Sequence, residues 1–299
     1  MGDMRIVIGG ASGFLGSALV EQLRSHGHHV TRLVRRGAPG DDSSHWDPDA
    51  GVVDAEVINQ ADAVINLSGA PIAHWPWTKT YKREISSSRI NCTMTLAQAV
   101  ADSPARPAFI SASGMSAYGS DRGNEVLTES SSSGTGFLAD VVHDWEAAAS
   151  PAIDSGSRVC FIRTSLVLDQ GGGTLKFLLR IFKLGLGGRV GSGQQYFSVV
   201  SLADWVRGVE FLTTNGTSSG PYNLTNPHPV TNAEFTKELG HALHRATIFA
   251  IPAFVLRIAT GGLADEALGS LRVVPERLLS ESFGFADPDI SSVISSALK

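Results

Sequence analysis

The chain has 299 residues, of which 42% are hydrophobic and 18% charged, an ordinary composition for a globular protein able to bury a large core. Its formal net charge of -5, without any run of Lys or Arg, argues against a nucleic-acid partner. Two isolated cysteines without metal-ligand spacing predict neither a metal site nor a disulfide framework. The sequence has no signal-peptide pattern and no apolar run long enough to span a bilayer. We therefore expect a cytoplasmic protein without a membrane partner.

The first half of the chain alternates between short apolar runs and helical patterns. Strands are predicted at residues 5–9, 29–34, 44–47, 63–67, 108–112 and 159–162. Helices are predicted from Gly13 until Gly27 closes the helix, and over residues 84–100 and 138–149. This alternation predicts an α/β fold with a Rossmann-type, doubly wound parallel sheet.

The pattern changes after Thr164. Glycine-rich loops occupy residues 171–173 and 185–193, and the C-terminal quarter is mainly helical with prolines between the helices. We therefore expect a Rossmann domain at residues 1–165, with later segments returning to it at about 194–225. Residues 166–299 should form a smaller, partly interleaved substrate-side domain, mainly helical at its C-terminus.

Three glycines lie between the first predicted strand and the first predicted helix, in the motif Gly10-Ala-Ser-Gly13-Phe-Leu-Gly16. Gly10 permits a tight turn, Gly13 lets the backbone approach a pyrophosphate, and Gly16 lets the helix pack on the strand. The phosphates would then meet free N–H groups at the positive end of the helix dipole. The loop therefore predicts dinucleotide binding by Gly10, Ser12, Gly13, Phe14, Leu15 and Gly16.

The Gly-x-x-Gly-x-x-Gly spacing resembles that of the extended short-chain dehydrogenase/reductase superfamily. Within it, nearly the whole chain resembles an atypical branch of NAD(P)-dependent epimerase/dehydratase-like proteins with a C-terminal domain of unknown function. The shared stretches are Gly9-Gly10-Ala-Ser-Gly13-Phe-Leu-Gly16, Trp46-Asp-Pro48, Asn66-Leu-Ser-Gly69, Glu84-Ile-Ser-Ser-Ser-Arg89, Ser111-Ala-Ser113, Trp145-Glu-Ala-Ala148, Gly185-Leu-Gly-Gly188, Gly191-Ser-Gly-Gln194, Asn223-Leu-Thr with Thr231-Asn-Ala-Glu-Phe235, and Arg272-Val-Val-Pro-Glu-Arg277. The resemblance implies a nicotinamide dinucleotide cofactor, a small-molecule substrate and a homodimer.

The end of the second predicted strand distinguishes NAD from NADP. An NAD site usually places Asp or Glu there to bind the adenosine ribose hydroxyls. Here the strand ends Val34-Arg35-Arg36, and the next carboxylate is Asp41. Since a guanidinium matches the charge and geometry of a 2′-phosphate, we expect NADP(H) bound by Arg35 and Arg36. The alternative is a solvated basic turn.

Arg89 lies on the apolar stripe of its predicted helix, so its guanidinium should face the sheet. Burying it without a partner costs several kcal/mol, which predicts a ligand or a counter-charge. The resemblance implies that Glu84, Arg89 and Arg163 line the cofactor site. An ion pair between Glu84 and Arg89 without a ligand is the alternative. Leu67 and Ser68, at the carboxyl end of the fourth predicted strand, should also border the cofactor.

The catalytic positions depart from the resemblance. Typical members of the superfamily use a Ser or Thr with a Tyr-x-x-x-Lys pair, in which the Lys lowers the pKa of the Tyr. Here Leu138 and Val142 occupy the Tyr and Lys positions, and neither can transfer a proton. Ser113 keeps the place of the serine. Tyr118 is either a substitute acid or a structural residue of its loop.

Two functions remain open on this evidence. The first is an NADP(H)-dependent, epimerase-like oxidoreductase in which Ser113 orients a substrate oxygen and Tyr118 supplies the proton. The second is a catalytically impaired protein that binds or senses NADP(H) without turnover. Phe197 stands where sugar-nucleotide epimerases place an Arg that holds the diphosphate, which argues against a nucleotide-sugar substrate.

Overall fold

The computed structural model describes residues 2–36, 40–74, 76–260 and 263–299. Its strands are β1 (Arg5–Gly9), β2 (His29–Val34), β3 (Ser43–Asp47), β4 (Val52–Val53), β5 (Ala63–Asn66), β6 (Ala108–Gly114), β7 (Val126–Leu127), β8 (Val159–Thr164), β9 (Leu166–Leu168), β10 (Gly188–Val190), β11 (Tyr196–Phe197), β12 (Val199–Ser201), β13 (Gly220–Leu224), β14 (Val230–Thr231), β15 (Phe249–Ile251) and β16 (Arg272–Val273). Its helices are α1 (Phe14–Ser25), α2 (Ala55–Asn59), α3 (Lys79–Asp102), α4 (Phe137–Ala147), α5 (Ser150–Asp154), α6 (Gly173–Lys183), α7 (Leu202–Thr214), α8 (Asn232–Ala242), α9 (Ala253–Thr260), α10 (Leu263–Leu268), α11 (Glu276–Ser280) and α12 (Ile290–Ala297).

The main sheet has eight strands in the order β13-β8-β6-β5-β1-β2-β3-β4. Neighbouring strands are parallel except β3 and β4. From β1 the chain adds β2 and β3 on one side and then crosses to β5 on the other. Such a reversal leaves a crevice at the carboxyl ends of β1 and β5, where open α/β sheets bind ligands. The predicted Rossmann-type, doubly wound parallel sheet is confirmed.

Helices cover both faces of this sheet because its inner strands present apolar side chains to both sides. Ile6 and Ile8 of β1 pack with Leu19 of α1 in a core that also includes residues of α7. Val7 points to the opposite face and packs in a second core with Leu96 of α3. Each such fully buried side chain stabilises the fold by roughly 1.5–3 kcal/mol. The two cores hold β1 and β5 rigidly beneath the crevice.

A third core joins elements from the second half of the chain. It packs α6, α8, α12 and β12 together through Leu175, Leu179, Phe235, Leu239, Ile294 and neighbouring side chains. Two-stranded pairs connect this region, namely β9–β12, β10–β15, β11–β14 and β7–β16. α7 packs on the first core, and β13 forms the last strand of the main sheet.

Helix boundaries differ from the predicted ones where local caps decide them. α3 begins at Lys79, earlier than predicted, because the Thr78 hydroxyl accepts a hydrogen bond from the backbone N–H of Tyr81. The helix predicted at 138–149 ends at Ala147, and a separate short helix follows with Pro151 in its first turn. A proline there needs no N–H partner, so it starts a helix more readily than it continues one.

Candidate cofactor crevice and adjoining polar network

The loop between β1 and α1 brings backbone close to backbone. Gly10 has a φ of +81°, and a Cβ on it would lie 2.6 Å from the carbonyl carbon of Leu67. A Cβ on Gly16 would lie 2.3 Å from the Gly10 carbonyl oxygen. On Gly13, in contrast, a Cβ would meet only that same oxygen, at 3.4 Å. The fold therefore requires Gly10 and Gly16, whereas Gly13 borders space that the protein itself does not fill.

The N-terminus of α1 faces this space without a cap. Gly13 is the N-cap residue, no side chain accepts a hydrogen bond there, and the first turn contains no acidic residue. Free N–H groups and the positive end of the helix dipole attract an anion. Ser12 is exposed beside this end and Leu15 is half-buried. Phe14 packs under a second glycine loop, since a Cβ on Gly172 would lie 2.4 Å from its ring.

Arg35 and Arg36 follow β2 directly, and both are exposed. Neither guanidinium has a hydrogen bond or ion pair with any residue in the described ranges. Burial raises the pKa of the Cys92 thiol to about 11, and the positive charge of Arg35 opposes that rise. The Arg35 guanidinium is therefore close enough to α3 to affect Cys92, and its donors have no partner among the described residues.

Asp42, which directly precedes β3, is already engaged. It accepts a hydrogen bond of 2.8 Å from Arg32 and another from Arg24. These two hydrogen bonds lower the pKa of the Asp42 carboxyl group. The carboxylate is thus held by neighbouring arginines instead of being directed at a ribose.

The loop after β5 forms the opposite wall. Asn66 is fully buried and fixes the loop, because its Oδ1 accepts from the Ser68 N–H at 3.1 Å and its Nδ2 donates to Thr93 at 2.9 Å. The backbone of Leu67 abuts Gly10. The Ser68 hydroxyl lies 3.1 Å from the place of a Cβ on Gly9. Leu67 and Ser68 are therefore brought beside the glycine loop at the switch point of the sheet.

Arg89 of α3 is a buried cation, with 7% of its surface exposed. It donates to the carbonyl oxygens of Ile85 (2.9 Å) and Ala70 (3.0 Å) and stacks over Trp145. Its buried Nε has no hydrogen-bond partner among the described residues. Burial lowers the pKa of this guanidinium to about 10. Arg89 thus lies behind the β5 loop, and no carboxylate among the described residues balances its charge.

Glu84 is not that carboxylate. It lies one turn before Arg89 on α3, is exposed, and forms no ion pair with Arg89. Because the described groups around Arg89 are carbonyl oxygens and an aromatic ring, the alternative of a ligand-free Glu84–Arg89 pair does not describe this structure.

Ser113, Glu146 and Arg163 form one network at the carboxyl ends of β6 and β8. The Ser113 hydroxyl donates to Glu146 Oε1 at 2.6 Å, and Arg163 donates to both carboxylate oxygens at 2.9 Å. Burial alone would lower the pKa of Arg163, but the hydrogen bonds and charge of Glu146 raise it. Both the Ser113 proton and the Arg163 guanidinium are therefore committed to Glu146.

Tyr118 is fully buried at the end of a 3-10 turn, Met115–Tyr118, that follows β6. Its hydroxyl donates to Asn223 Oδ1 at 2.8 Å and accepts from Arg163 at 3.1 Å. Burial raises the pKa of the phenol. A phenol with no exposed surface and both hydrogen-bonding sides occupied favours the structural interpretation of Tyr118 over the substitute acid.

The positions usually held by the Tyr and Lys are packed in apolar surroundings. Leu138 is 6% exposed and clusters with Ile85 and Val141, against Trp77, which lies just before α3. Val142 is likewise buried and lies next to Gly114, whose Cβ would approach it at 3.6 Å. Neither Leu138 nor Val142 therefore offers a proton donor to the crevice.

A carboxyl group reaches the same strand end from the C-terminal segment. Glu266 of α10 accepts a hydrogen bond of 3.3 Å from Ser116, two residues after β6 ends. Burial raises the pKa of Glu266, and the charge of Asp265 adds to the rise. A carboxyl group that holds its proton more tightly than usual can act as an acid closer to neutral pH.

Comparison with known proteins identifies two matching parts of the chain. The profile of the NAD dependent epimerase/dehydratase family matches residues 6–225, and that of a domain of unknown function, DUF1731, matches residues 251–297. The chain belongs to the NAD dependent epimerase/dehydratase family. The predicted resemblance, including the C-terminal domain of unknown function, is thereby confirmed.

Members of this family resemble the chain along nearly its full length. An epimerase family protein of Mycobacterium bovis is 42% identical over 286 residues, which cover 95% of this chain and 94% of the relative. The crystal structure of human epimerase family protein SDR39U1 with NADPH matches with a TM-score of 0.90 at 31% identity, covering 98% of this chain and 99% of that one. A nucleoside-diphosphate sugar epimerase from Corynebacterium glutamicum matches with a TM-score of 0.82 at 35% identity, covering 99% of this chain and 58% of that one.

Within this epimerase/dehydratase fold the predicted site residues fall into two groups. The glycine loop, Leu67 and Ser68 meet at the switch point, with Arg35 and Arg36 at its mouth and Arg89 behind it. Ser113, Tyr118 and Arg163 instead share a closed network.

Three partners were absent from the sequence-based candidates, namely Glu146, Asn223 and Glu266. The Trp-Glu-Ala-Ala stretch signalled Glu146 and the Asn223-Leu-Thr stretch signalled Asn223, whereas no local pattern marks Glu266. In the described ranges, no group of three or more His, Cys, Asp or Glu side chains is placed to hold a metal ion.

Proposed function

We propose that the protein binds NADP(H) and acts as an epimerase-like oxidoreductase on a small molecule. The observation that carries the proposal is the open space beside Gly13, facing an uncapped helix N-terminus at the switch point of the sheet. A pyrophosphate fits such a place because it accepts hydrogen bonds from several backbone N–H groups. The likeness to human SDR39U1, which was solved with NADPH, supports the same cofactor.

Each part of the dinucleotide has residues of suitable chemistry. Gly13 and the first turn of α1 would hold the pyrophosphate, with Leu67 and Ser68 beside the sugar. The guanidiniums of Arg35 and Arg36, which have no partner among the described residues, would hold the 2′-phosphate. Asp42, which Arg24 and Arg32 already hold, is not available to bind ribose hydroxyls as the acidic residue of an NAD site does. Arg89 would supply positive charge from behind the β5 loop. The geometry does not support cofactor binding by Glu84 or Arg163. Glu84 is exposed, and Arg163 is engaged by Glu146.

Proton transfer in this site is assigned to Glu266. Bound NADP(H) supplies or accepts a hydride at C4 of its nicotinamide, so the chain must give a proton to the substrate oxygen or take one from it. The protons of Ser113 and Tyr118 are committed to Glu146 and Asn223. Glu266 has a raised pKa, and only the Ser116 hydroxyl donates to it among the described hydrogen bonds. It is therefore the better acid.

A second candidate function is NADP(H) binding without turnover. It is favoured by Leu138 and Val142, which place apolar packing where the superfamily usually has its Tyr and Lys. In that case the Ser113–Glu146–Arg163 network is purely structural, and Glu266 only ties α10 to the strand end. Substitution of Glu266 would then change no reaction.

We also propose a cytoplasmic location and a homodimer. The location is supported by Cys92 and Cys160, which are free, buried thiols with pKa values raised to about 11 by burial. Free thiols are usual in a reducing compartment. The homodimer has the support of the superfamily resemblance alone.

A crystal structure of the protein soaked with NADPH tests the proposal. We expect the pyrophosphate against Gly13 and the 2′-phosphate on Arg35 or Arg36. The nicotinamide ring should face the end of β6, with the Glu266 carboxyl nearer to it than the Tyr118 hydroxyl. A nicotinamide enclosed by Leu138 and Val142, with no protic side chain in reach, would favour binding without turnover. A dinucleotide bound elsewhere would refute the proposal.

A further inference from the structure

One surface of the C-terminal region combines exposed apolar side chains with basic ones. Of the twelve large apolar side chains exposed in the described part of the chain, seven lie on α6, β15, α9 and the turns beside them. They are Phe177, Leu184, Leu186, Ile248, Phe249, Phe254 and Val255, with exposed fractions from 42% to 82%. Together with Lys176, Arg180, Lys183, Arg189 and Arg245 they form what we call the apolar–basic face.

The elements of this face are neighbours in space. β10 pairs with β15, which puts Gly188 opposite Phe249. Arg245 donates a hydrogen bond of 3.2 Å to the carbonyl oxygen of Lys183, which ties the approach to β15 to the end of α6. Only Pro252 separates β15 from α9, which carries Phe254 and Val255. These links keep β15 and the start of α9 near the end of α6.

α6 shows two outward stripes besides its buried one. Leu175, Leu179 and Phe182 face the third core. On the outside, Phe177, Ile181 and Leu184 recur at helical spacing, and the neighbouring stripe is Lys176, Arg180 and Lys183. A core-facing helix normally has polar side chains on its outer face. An outer face of Phe and Leu beside Lys and Arg is instead typical of helices that lie on a lipid surface.

The charge of the face is opposite to that of the whole protein. Residues 170–203 and 239–264 together contain six Lys or Arg and no Asp or Glu, in a chain whose net charge is -5. Lys176, Arg180 and Lys183 are exposed and have no ion pair with any residue in the described ranges. Each basic residue held near an anionic bilayer adds electrostatic attraction.

We propose that the apolar–basic face docks the protein on the surface of an anionic membrane. Leu184, Ile248 and Phe254 would enter the boundary between headgroups and acyl chains, while the lysines and arginines at the rim would meet lipid phosphates. No described helix is long and apolar enough to cross a bilayer, and surface docking requires none. The sequence-based prediction of no membrane partner rests on the absence of a spanning run, and surface docking needs no such run.

Binding to lipid vesicles, measured by flotation, tests the proposal with the full chain. The vesicles are pure phosphatidylcholine or phosphatidylcholine with about one third phosphatidylglycerol. We expect at least about 10-fold tighter binding to the anionic vesicles, and most of that gain should disappear at high salt. The double variant Ile248→Glu/Phe254→Glu should lower binding by about 100-fold or more. The variant Lys176→Glu/Arg180→Glu should remove the preference for anionic vesicles.

Matched controls separate the face from general effects of charge. The double variant Val52→Glu/Ile153→Glu changes two apolar side chains that are also exposed, by 55% and 48%, but lie outside the face. It should bind as the unmodified protein does. Unchanged NADPH affinity and circular dichroism in every variant show retained folding. Absence of binding to anionic vesicles, or equal loss in the control, would overturn the proposal.

In that event, self-association that Ile248→Glu/Phe254→Glu abolishes would assign the face to a second copy of the chain. Binding of an acidic protein that the same variant abolishes would assign it to that partner.

Discussion

Ser113 donates a hydrogen bond of 2.6 Å to Glu146, and the same carboxylate oxygen accepts a second one, of 2.9 Å, from Arg163. The Ser113 hydroxyl therefore donates its proton to the Glu146–Arg163 ion pair and not to a group in the crevice. Side-chain exposures of 11% for Arg163 and 16% for Glu146 make this a largely desolvated pair. Removing one partner of such a pair leaves an uncompensated charge.

The first prediction concerns the stability of this pair. Glu146→Ala should lower the free energy of unfolding by about 2–4 kcal/mol, because Arg163 and Ser113 lose their common acceptor. Glu125→Ala breaks the ion pair of Glu125 with Arg122, in which the Glu125 side chain is 49% exposed, and should cost less than about 1 kcal/mol. Denaturant unfolding measures both. Equal losses in the two variants would show that the network is not desolvated.

A second prediction separates the glycines of the phosphate loop. Gly13→Val places its side chain in space the protein does not fill, so it should keep the fold and lose NADPH binding. Gly16→Ala forces its Cβ to 2.3 Å from the Gly10 carbonyl oxygen and should destabilise the fold itself. Thermal unfolding and calorimetry on each variant distinguish the two effects. A Gly13→Val protein that binds NADPH normally would contradict the placement of the pyrophosphate.

The identity of the proton donor gives a third prediction. Glu266→Gln should lower the rate of NADPH-dependent carbonyl reduction by about 10²-fold or more, with NADPH affinity unchanged. Tyr118→Phe should leave the rate near normal but destabilise the fold by about 1–3 kcal/mol, because Asn223 and Arg163 lose a buried hydrogen-bond partner. Steady-state kinetics and denaturant unfolding provide the two readouts. The reverse pattern would restore Tyr118 as the acid.

The raised pKa of Glu266 also predicts how stability depends on pH. Folding favours the protonated carboxyl group, so its contribution is fully present below the unfolded pKa of about 4.3 and is lost as pH rises through the raised native value. Glu266→Gln carries no titrating proton and should remove this loss, making the variant relatively more stable near neutral pH. Melting temperatures of both proteins across this pH range provide the test. Parallel pH profiles would show that Glu266 titrates as an exposed carboxyl group does.

Local patterns predicted the part of the site that sits at the start of the chain. The apolar run of β1, the glycines and the helical spacing after them mark the glycine loop that we propose binds the pyrophosphate. The two arginines that we propose bind the 2′-phosphate directly follow β2. Such features need no knowledge of distant contacts. The doubly wound parallel sheet is likewise predicted by the alternation of strands and helices.

The polar network and the proton donor depend on long-range contacts that no local pattern encodes. Ser113 meets Glu146 across 33 residues, Tyr118 meets Asn223 across 105, and Ser116 meets Glu266 across 150. The expectation that Ser113 orients a substrate oxygen, with Tyr118 as either a substitute acid or a structural residue, did not include these partners. Because buried polar groups need hydrogen-bond partners, these distant partners determine the role of each side chain.

The most direct test of NADP(H) binding is a calorimetric titration of the protein with NADPH and with NADH. We expect NADPH to bind at least about 10-fold more tightly, a difference of about 1.4 kcal/mol. Arg35→Ala should remove most of this preference and leave NADH affinity nearly unchanged, whereas Arg5→Ala, at the opposite end of the sheet, should change neither. Equal affinities for the two dinucleotides, or no binding of either, would contradict the assignment of this crevice to NADP(H).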